Sequence, residues 1–86
     1  MGRIAREKPK RLGEKLLQIR LNLGLSQNQM LEKLGISEKV FRSAVSGYEL
    51  GKREPTLIIL LKYARLAGIS TDVLIDDDFD LPEKLL

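Results

Sequence analysis

The chain has 86 residues, of which 43% are apolar and 31% are charged, a balance typical of one globular domain rather than of a disordered chain. It contains no cysteine and no histidine, which excludes disulfides, thiolate chemistry and most zinc sites and fits a cytoplasmic protein. No apolar run approaches the roughly 18 residues needed to span a membrane, and no apolar segment follows the basic N-terminus as in a signal peptide.

The first two predicted helices are short and are separated by a glycine turn. Leucine and isoleucine recur at helical spacing over residues 12–23, and Gly24 ends the pattern. Ser26 is well placed to cap a second helix over Gln27–Leu34, which Gly35 ends.

Three more helices are predicted in the second half of the chain. Apolar side chains over residues 40–48 follow helical spacing. Thr56 and Ser70 are each well placed to cap a further helix, the first ended by Gly68 and the second covering Thr71–Ile75. No segment alternates with period two for long enough to form a sheet, so the predicted fold is all-α, a compact five-helix bundle.

Charge is distributed unevenly along the chain. Residues 1–15 carry six Lys or Arg and two Glu, residues 16–71 carry eight and four, and residues 72–86 carry one and six. A basic body with an acidic end indicates a polyanionic partner such as nucleic acid, whereas a soluble domain with solvated ends is the alternative.

The predicted organisation is a flexible basic arm over residues 1–10, a folded domain over residues 11–75 and an acidic tail over residues 76–86. The four aspartates between residues 76 and 80 lack the spacing and the glycine of a calcium loop, so a solvated end is favoured over a metal site. There is also no phosphate loop and no histidine base. The sequence therefore predicts neither an enzyme nor a cofactor.

Four pieces of the sequence together resemble a known family. They are Arg20, GLSQNQMLEKLGIS at residues 24–37, VSGYELGKREPT at residues 45–56 and LLKYARLAGIS at residues 60–70. In this order they resemble the phage-repressor-type (Cro/Xre) helix-turn-helix family, over residues 12–75. The resemblance implies a lambda-repressor-like domain of five helices that binds double-stranded DNA, usually as a dimer. In that family the second helix braces the backbone and the third enters the major groove.

The resemblance implies phosphate contacts at two places. Ser26 and Gln27 stand at the start of the second helix, where backbone N–H groups attract phosphate. A plain helix cap is the alternative interpretation of Ser26. Lys52 and Arg53 follow the reading helix, where cations can hold the opposite phosphates, and a solvated turn is the alternative.

Arg20 and Glu49 are predicted to form a structural salt bridge. Arg20 lies at the edge of the apolar stripe of the first helix, so its stem is partly buried. A half-buried guanidinium needs a carboxylate, and a bidentate one is best. Both positions also match a pair that, in the resembled family, ties the first helix to the end of the third.

The chain departs from the family pattern at three places. Four extra residues precede Tyr48 and Glu49, Leu31 replaces an alanine usual in the second helix, and Gly47 stands where a DNA-contacting side chain is common. A leucine at position 31 is expected to hold the third helix further away, with Phe41 filling the added space. Gly47 indicates either a close approach of the backbone to DNA or weak base readout.

The extra residues have two interpretations. Either Glu38–Phe41 is a longer turn before a reading helix over Arg42–Leu50, or Ser37 caps an additional helical turn. We favour the longer turn, because periodicity alone places element boundaries poorly.

On the favoured register, the DNA end of the reading helix carries the candidate base contacts, which are Arg42, Ser43, Ala44 and Ser46. Arg42 is suited to guanine, and Ala44 to the methyl group of thymine. The alternative places Arg42 on a phosphate and Ala44 in the core.

Apolar side chains left over after the core is filled predict a covered surface. On the first and fourth helices they are Leu17, Leu21, Ile59, Tyr63 and Leu66. The cover is a second subunit, the tail, or both, and the apolar tail residues are Phe79, Leu81, Leu85 and Leu86.

The predicted function is sequence-specific binding of double-stranded DNA by a homodimeric, prokaryotic-type transcriptional regulator acting as a repressor. The alternative is a protein-interaction module, such as an antitoxin whose acidic tail binds a partner protein.

Overall fold

The computed structural model describes residues 7–36 and 42–85. Within these two ranges the chain forms five helices and no strand, as the sequence predicts. In chain order they are α1 (Leu12–Asn22), α2 (Gln27–Leu34), α3 (Ala44–Glu49), α4 (Leu57–Ala67) and α5 (Thr71–Ile75). The two interpretations of residues 37–41 lie outside the described residues, and so do the roles suggested for Phe41 and Leu86.

Side chains at the helix starts fix two of the predicted boundaries. The Ser26 hydroxyl accepts the N–H of Gln29 at 3.1 Å, while the Ser26 N–H donates to the Gln29 side chain at 2.8 Å, which makes a capping box at the start of α2. Thr56 caps α4 by accepting the N–H of Ile59 at 3.2 Å. Ser70 occupies the N-cap position of α5 and the helix covers Thr71–Ile75, as predicted, but the Ser70 hydroxyl makes no capping hydrogen bond.

The core draws apolar side chains from all five helices. Its buried members are Leu12, Leu16, Ile19, Met30, Leu31, Leu34, Ala44, Val45, Tyr48, Leu60, Tyr63, Ala64, Ala67 and Leu74. Helix α1 packs against α3, α4 and α5, while α2 packs against α3 and α4. The first helix therefore holds the helix-turn-helix pair α2–α3 against the C-terminal half of the domain.

The sequence predicts that Ile59, Tyr63 and Leu66 lie outside the core, on the back of the fourth helix, and this prediction is wrong. Tyr63 is fully buried in the core, and Ile59 and Leu66 pack against that core within one subunit. The Tyr63 hydroxyl makes no hydrogen bond to any residue that the structure describes, and burial raises its pKa. On α1, Leu17 is half-buried and Leu21 is 54% exposed.

The C-terminal segment folds back onto the helices. Leu81 and Leu85 are partly buried and pack against the core. Lys15 is almost fully buried, and its ammonium group donates to the carbonyl oxygens of Val73 at 2.8 Å and Asp76 at 2.9 Å. These bonds satisfy carbonyl groups at the end of α5, where a positive charge is also favoured by the helix dipole.

Helices α1 and α3 approach each other closely at Gly13. A Cβ atom added to Gly13 would lie 2.8 Å from the carbonyl oxygens of both Tyr48 and Glu49. These oxygens belong to the backbone at the end of α3 and cannot move aside as a flexible side chain can. Gly13 is therefore needed for the observed packing of α1 against the end of α3.

We expect Gly13→Ala to lower the free energy of unfolding by about 1–2 kcal/mol, because the overpacking exceeds the roughly 1 kcal/mol gained in helix propensity. Urea denaturation measures the change. Gln18→Ala, at an exposed position of the same helix, is the control and is expected to change stability by less than about 0.5 kcal/mol. A Gly13→Ala protein more stable than the wild type would contradict the close approach.

Candidate nucleic-acid interface

Arg20 and Glu49 form the bidentate salt bridge that the sequence predicts. Arg20 Nε lies 2.7 Å from Glu49 Oε2, and Arg20 Nη2 lies 3.1 Å from Oε1. The two side chains are only 14% and 5% exposed, so the pair is shielded from solvent. The hydrogen bonds to Glu49 raise the pKa of Arg20.

The same two residues also contact the turn between α1 and α2 and the first residue of α2. Arg20 Nη1 donates to the Leu25 carbonyl oxygen at 3.0 Å, and Gln27 Nε2 donates to Glu49 Oε1 at 3.1 Å. One guanidinium and one carboxylate therefore connect the end of α1, the following turn, the first residue of α2 and the last residue of α3. The start of α2 is fixed beside the end of α3.

Ser26 and Gln27 are exposed at the start of α2, where the sequence places a phosphate contact. The Ser26 hydroxyl is used in the capping box, and the Gln27 amide nitrogen is bonded to Glu49. The cap interpretation thus accounts for the Ser26 side chain. The N-terminal N–H groups and the positive end of the helix dipole still favour an anion at this position.

Helix α3 is shorter than the predicted reading helix over Arg42–Leu50. It begins at Ala44, and Arg42 and Ser43 form the turn before it. Ala44 is only 1% exposed and belongs to the core, so its assignment as a base contact is wrong. Helical spacing alone does not tell an inward alanine from an outward one at the first turn. Arg42 and Ser43 are exposed and Ser46 is half-buried.

Gly47 makes room for Arg53. A Cβ atom at Gly47 would lie 3.1 Å from the Cβ atom of Arg53, and the Gly47 carbonyl oxygen accepts the N–H groups of both Lys52 and Arg53. The chain therefore folds back against α3 immediately after the helix ends. Among the described residues, the nearest neighbour of a Cβ atom at this position is the chain's own Arg53.

The turn after α3 carries two exposed cations. Gly51 has a φ of +74°, which reverses the chain, and Lys52 and Arg53 follow it on the surface. Because α2 begins beside Glu49, this turn lies near Gln27. The structure thus brings the two sets of predicted phosphate contacts to the same end of the α2–α3 pair. Arg42 and Ser43 lie at the other end of α3.

A groove of about 180 Å³ adjoins this turn, and sequence reasoning did not identify it. One side is formed by Lys8, Pro9 and Lys10 of the N-terminal arm, and the other by residues 48–55. The sequence shows only that the arm is basic, because its position depends on contacts with residues nearly seventy positions away.

Residues 16–74 match the helix-turn-helix family model. The chain belongs to this family. It is a family of DNA-binding transcription regulators of the Cro/Xre type and is not known for enzymes.

Two curated relatives come from Bacillus subtilis. The chain is 41% identical over 76 residues to YonR, an SPbeta prophage-derived uncharacterized HTH-type transcriptional regulator, covering 85% of this chain and 67% of that protein. It is 36% identical over 67 residues to the HTH-type transcriptional regulator ImmR, covering 78% of this chain and 50% of that protein. The chain therefore spans between half and two thirds of these relatives.

Among solved structures, the P22 c2 repressor protein in complex with a synthetic operator has the same fold. The TM-score is 0.65 at 27% identity, and the match covers 78% of this chain and 96% of the repressor chain.

Over residues 7–36 and 42–85, no group of three or more acidic, histidine or cysteine residues is placed to hold a metal ion. In the same part of the chain, no helix is long and apolar enough to cross a membrane.

The Arg20–Glu49 pair yields a stability prediction. Glu49→Ala leaves a shielded guanidinium without its carboxylate, so we expect a loss of about 3 kcal/mol in the free energy of unfolding. The double variant Arg20→Met/Glu49→Leu removes both charges and is expected to be more stable than Glu49→Ala. Thermal and urea unfolding of the single variants Arg20→Met and Glu49→Leu and of the double variant measure the coupling. Losses in the double variant equal to the sum of the two single losses would show that the pair is not coupled.

Proposed function

We propose that this protein is a transcriptional repressor that binds double-stranded DNA in a sequence-specific manner, with α3 in the major groove. The observation that carries the proposal is the α2–α3 helix pair, which lies within the residues matched by the helix-turn-helix family model. Prokaryotic DNA lies in the cytoplasm, which is therefore where we place the protein.

Phosphates are bound at the end of the pair where α2 begins and α3 ends. The Ser26 N–H is used in the capping box, so the N-terminal N–H groups that begin at Gln27 hold one phosphate group, and Lys52 and Arg53 hold others. Gln27 is oriented by Glu49, so its position is set before DNA arrives. Preorganised contacts of this kind reduce the entropy lost on binding.

The beginning of α3 supplies the contacts to the bases. A helix of six residues is about 9 Å long, so its first turn and the residues just before it supply the contacts. Arg42, Ser43 and Ser46 remain the candidates, since Ala44 is buried. Arg42 has the bidentate geometry that suits guanine.

The antitoxin-like alternative is not favoured by the position of the acidic tail. Leu81 and Leu85 pack against the core, and Asp77 and Asp80 are bonded to Arg11. Of the large apolar tail side chains within the described residues, Phe79 is the most exposed, at 49%. These four tail residues are thus engaged with their own domain rather than presented to a partner.

Replacing Lys52 and replacing Arg42 are expected to weaken DNA binding in different ways. Lys52→Ala should weaken binding to all duplexes alike and reduce the log–log salt slope by about one unit. Arg42→Ala should cost about 1–3 kcal/mol on a selected site and little on random DNA. Fluorescence anisotropy on both duplexes at several salt concentrations tests this. If Arg42→Ala loses the same binding free energy on both duplexes, Arg42 contacts a phosphate rather than a base.

The protein is further proposed to act as a homodimer, so that two copies of α3 lie about 34 Å apart on an approximate inverted repeat. The exposed apolar side chains suited to the interface are Leu57 and Ile58 at the start of α4, which are 78% and 61% exposed. Leu57 and Ile58 thus replace Ile59, Tyr63 and Leu66 as the proposed dimer interface on α4.

Leu57→Glu/Ile58→Glu is expected to give a monomer that binds the selected site at least tenfold more weakly, because the second half-site no longer contributes. Analytical ultracentrifugation and anisotropy measure the two effects. Leu21→Glu, which changes another exposed leucine on α1, should leave both unchanged. If Leu21→Glu dissociates the dimer and the double variant does not, the interface lies on α1 instead.

A further inference from the structure

The acidic tail grips the chain where the basic arm enters α1. The Asp77 carboxylate accepts the N–H of Lys10 at 2.9 and 3.1 Å and the N–H of Arg11 at 3.0 Å. In return, Arg11 donates to the Asp77 carbonyl oxygen at 2.8 Å and to Asp80 Oδ1 at 2.7 Å. We call these contacts the tail clamp. They fix both the backbone and one side chain at the base of the arm.

The clamp is charged at neutral pH. Hydrogen bonds from the Lys10 and Arg11 N–H groups lower the pKa of Asp77 below its usual value of 3.8. A lowered pKa means that the clamp adds stability above that usual value and loses it only as pH falls through the folded-state pKa. The carboxylate also stands at the N-terminus of α1, where the helix dipole favours a negative charge.

The clamp sets the course of the arm. Lys8 and Pro9 have the tail on one side, where they line a cavity with Asp76, Asp77 and Asp78. On the other side, they and Lys10 line the groove that adjoins the turn after α3. The arm therefore runs as a ridge between the acidic tail and the turn that carries the predicted phosphate contacts.

Cations stand on both walls of that groove. Lys8 and Lys10 line it from the arm, and Lys52 and Arg53 line it from the turn. Glu49 also lines the groove, but its charge is matched by Arg20. Glu14 and Glu54 are the other acidic residues that line the groove. The attraction of the groove for an anion therefore depends on keeping both arm lysines in place.

We infer that the acidic tail is a positioning device for DNA binding, which holds Lys8 and Lys10 where they bind the same stretch of phosphate backbone as Lys52. The inference rests on the proposed DNA-binding function and assigns the arm and the tail a part in it. Asp77 acts through the arm and does not itself touch DNA. The opposite arrangement, a tail that repels DNA and inhibits binding, predicts the reverse effect of removing Asp77.

The test measures the salt dependence of binding to a mixed-sequence duplex, well below the melting temperature of every variant. Lys8→Ala/Lys10→Ala should lower the log–log slope by about 1.8, or about 0.9 for each phosphate contact. Asp77→Ala should weaken binding and lower the slope by a similar amount. Asp77→Asn keeps an oxygen that accepts the two N–H groups and should restore most of the loss.

Two controls separate positioning from charge and from folding. Asp78→Ala removes the same charge from an exposed neighbouring position and should leave the slope unchanged. Asp77→Ala added to the variant without both lysines should cause no further loss, because the clamp acts through those lysines. A merely structural role of Asp77 would instead reduce binding equally in both backgrounds.

Several results would overturn the inference. They are tighter binding by Asp77→Ala, an unchanged slope for Lys8→Ala/Lys10→Ala, and an undiminished effect of Asp77→Ala in the lysine-deficient background. An unchanged slope for Lys8→Ala/Lys10→Ala overturns the inference even if Asp77→Ala impairs folding, because both lysines are exposed. If wild-type protein does not bind the duplex even at low salt, the proposed function itself fails. Binding that weakens with Lys52→Ala but not with the arm variants rejects only the role of the arm.

Discussion

The candidate interface depends on the shielded pair formed by Arg20 and Glu49. A carboxylate at the end of α3 attracts one guanidinium from α1, and these two groups also fix Leu25 and Gln27. Apolar packing between α2 and α3 is less directional than this bidentate ion pair. The pair thus sets the relative position of the two elements proposed to hold one DNA backbone.

Close backbone packing around that pair explains two glycines. Gly13 lets α1 approach the last carbonyl groups of α3, and Gly47 lets Arg53 fold back against the same helix. The turn with the proposed phosphate contacts is therefore built on a closely packed junction. Rigid support of this kind is what a binding site on a small domain requires.

Local signals in the sequence predicted the helices well, whereas contacts between distant residues were only partly predicted. Ser26 and Thr56 cap the expected helices because capping depends on residues three positions away. A half-buried arginine needs an acidic partner, and the family resemblance identified Glu49 as that partner. By contrast, Ala44 and the docked tail depend on tertiary packing. Their environment is set by elements far along the chain, which hydrophobic spacing cannot reveal.

We propose that the start of α2, the start of α3 and the turn after α3 together bind duplex DNA. Titration of isotope-labelled protein with a duplex, followed by amide chemical shifts in solution, tests it most directly. We expect the largest shift changes to cluster at residues 26–27, 42–46 and 51–53. Changes confined to α4 and α5, or no changes at low salt, would contradict it.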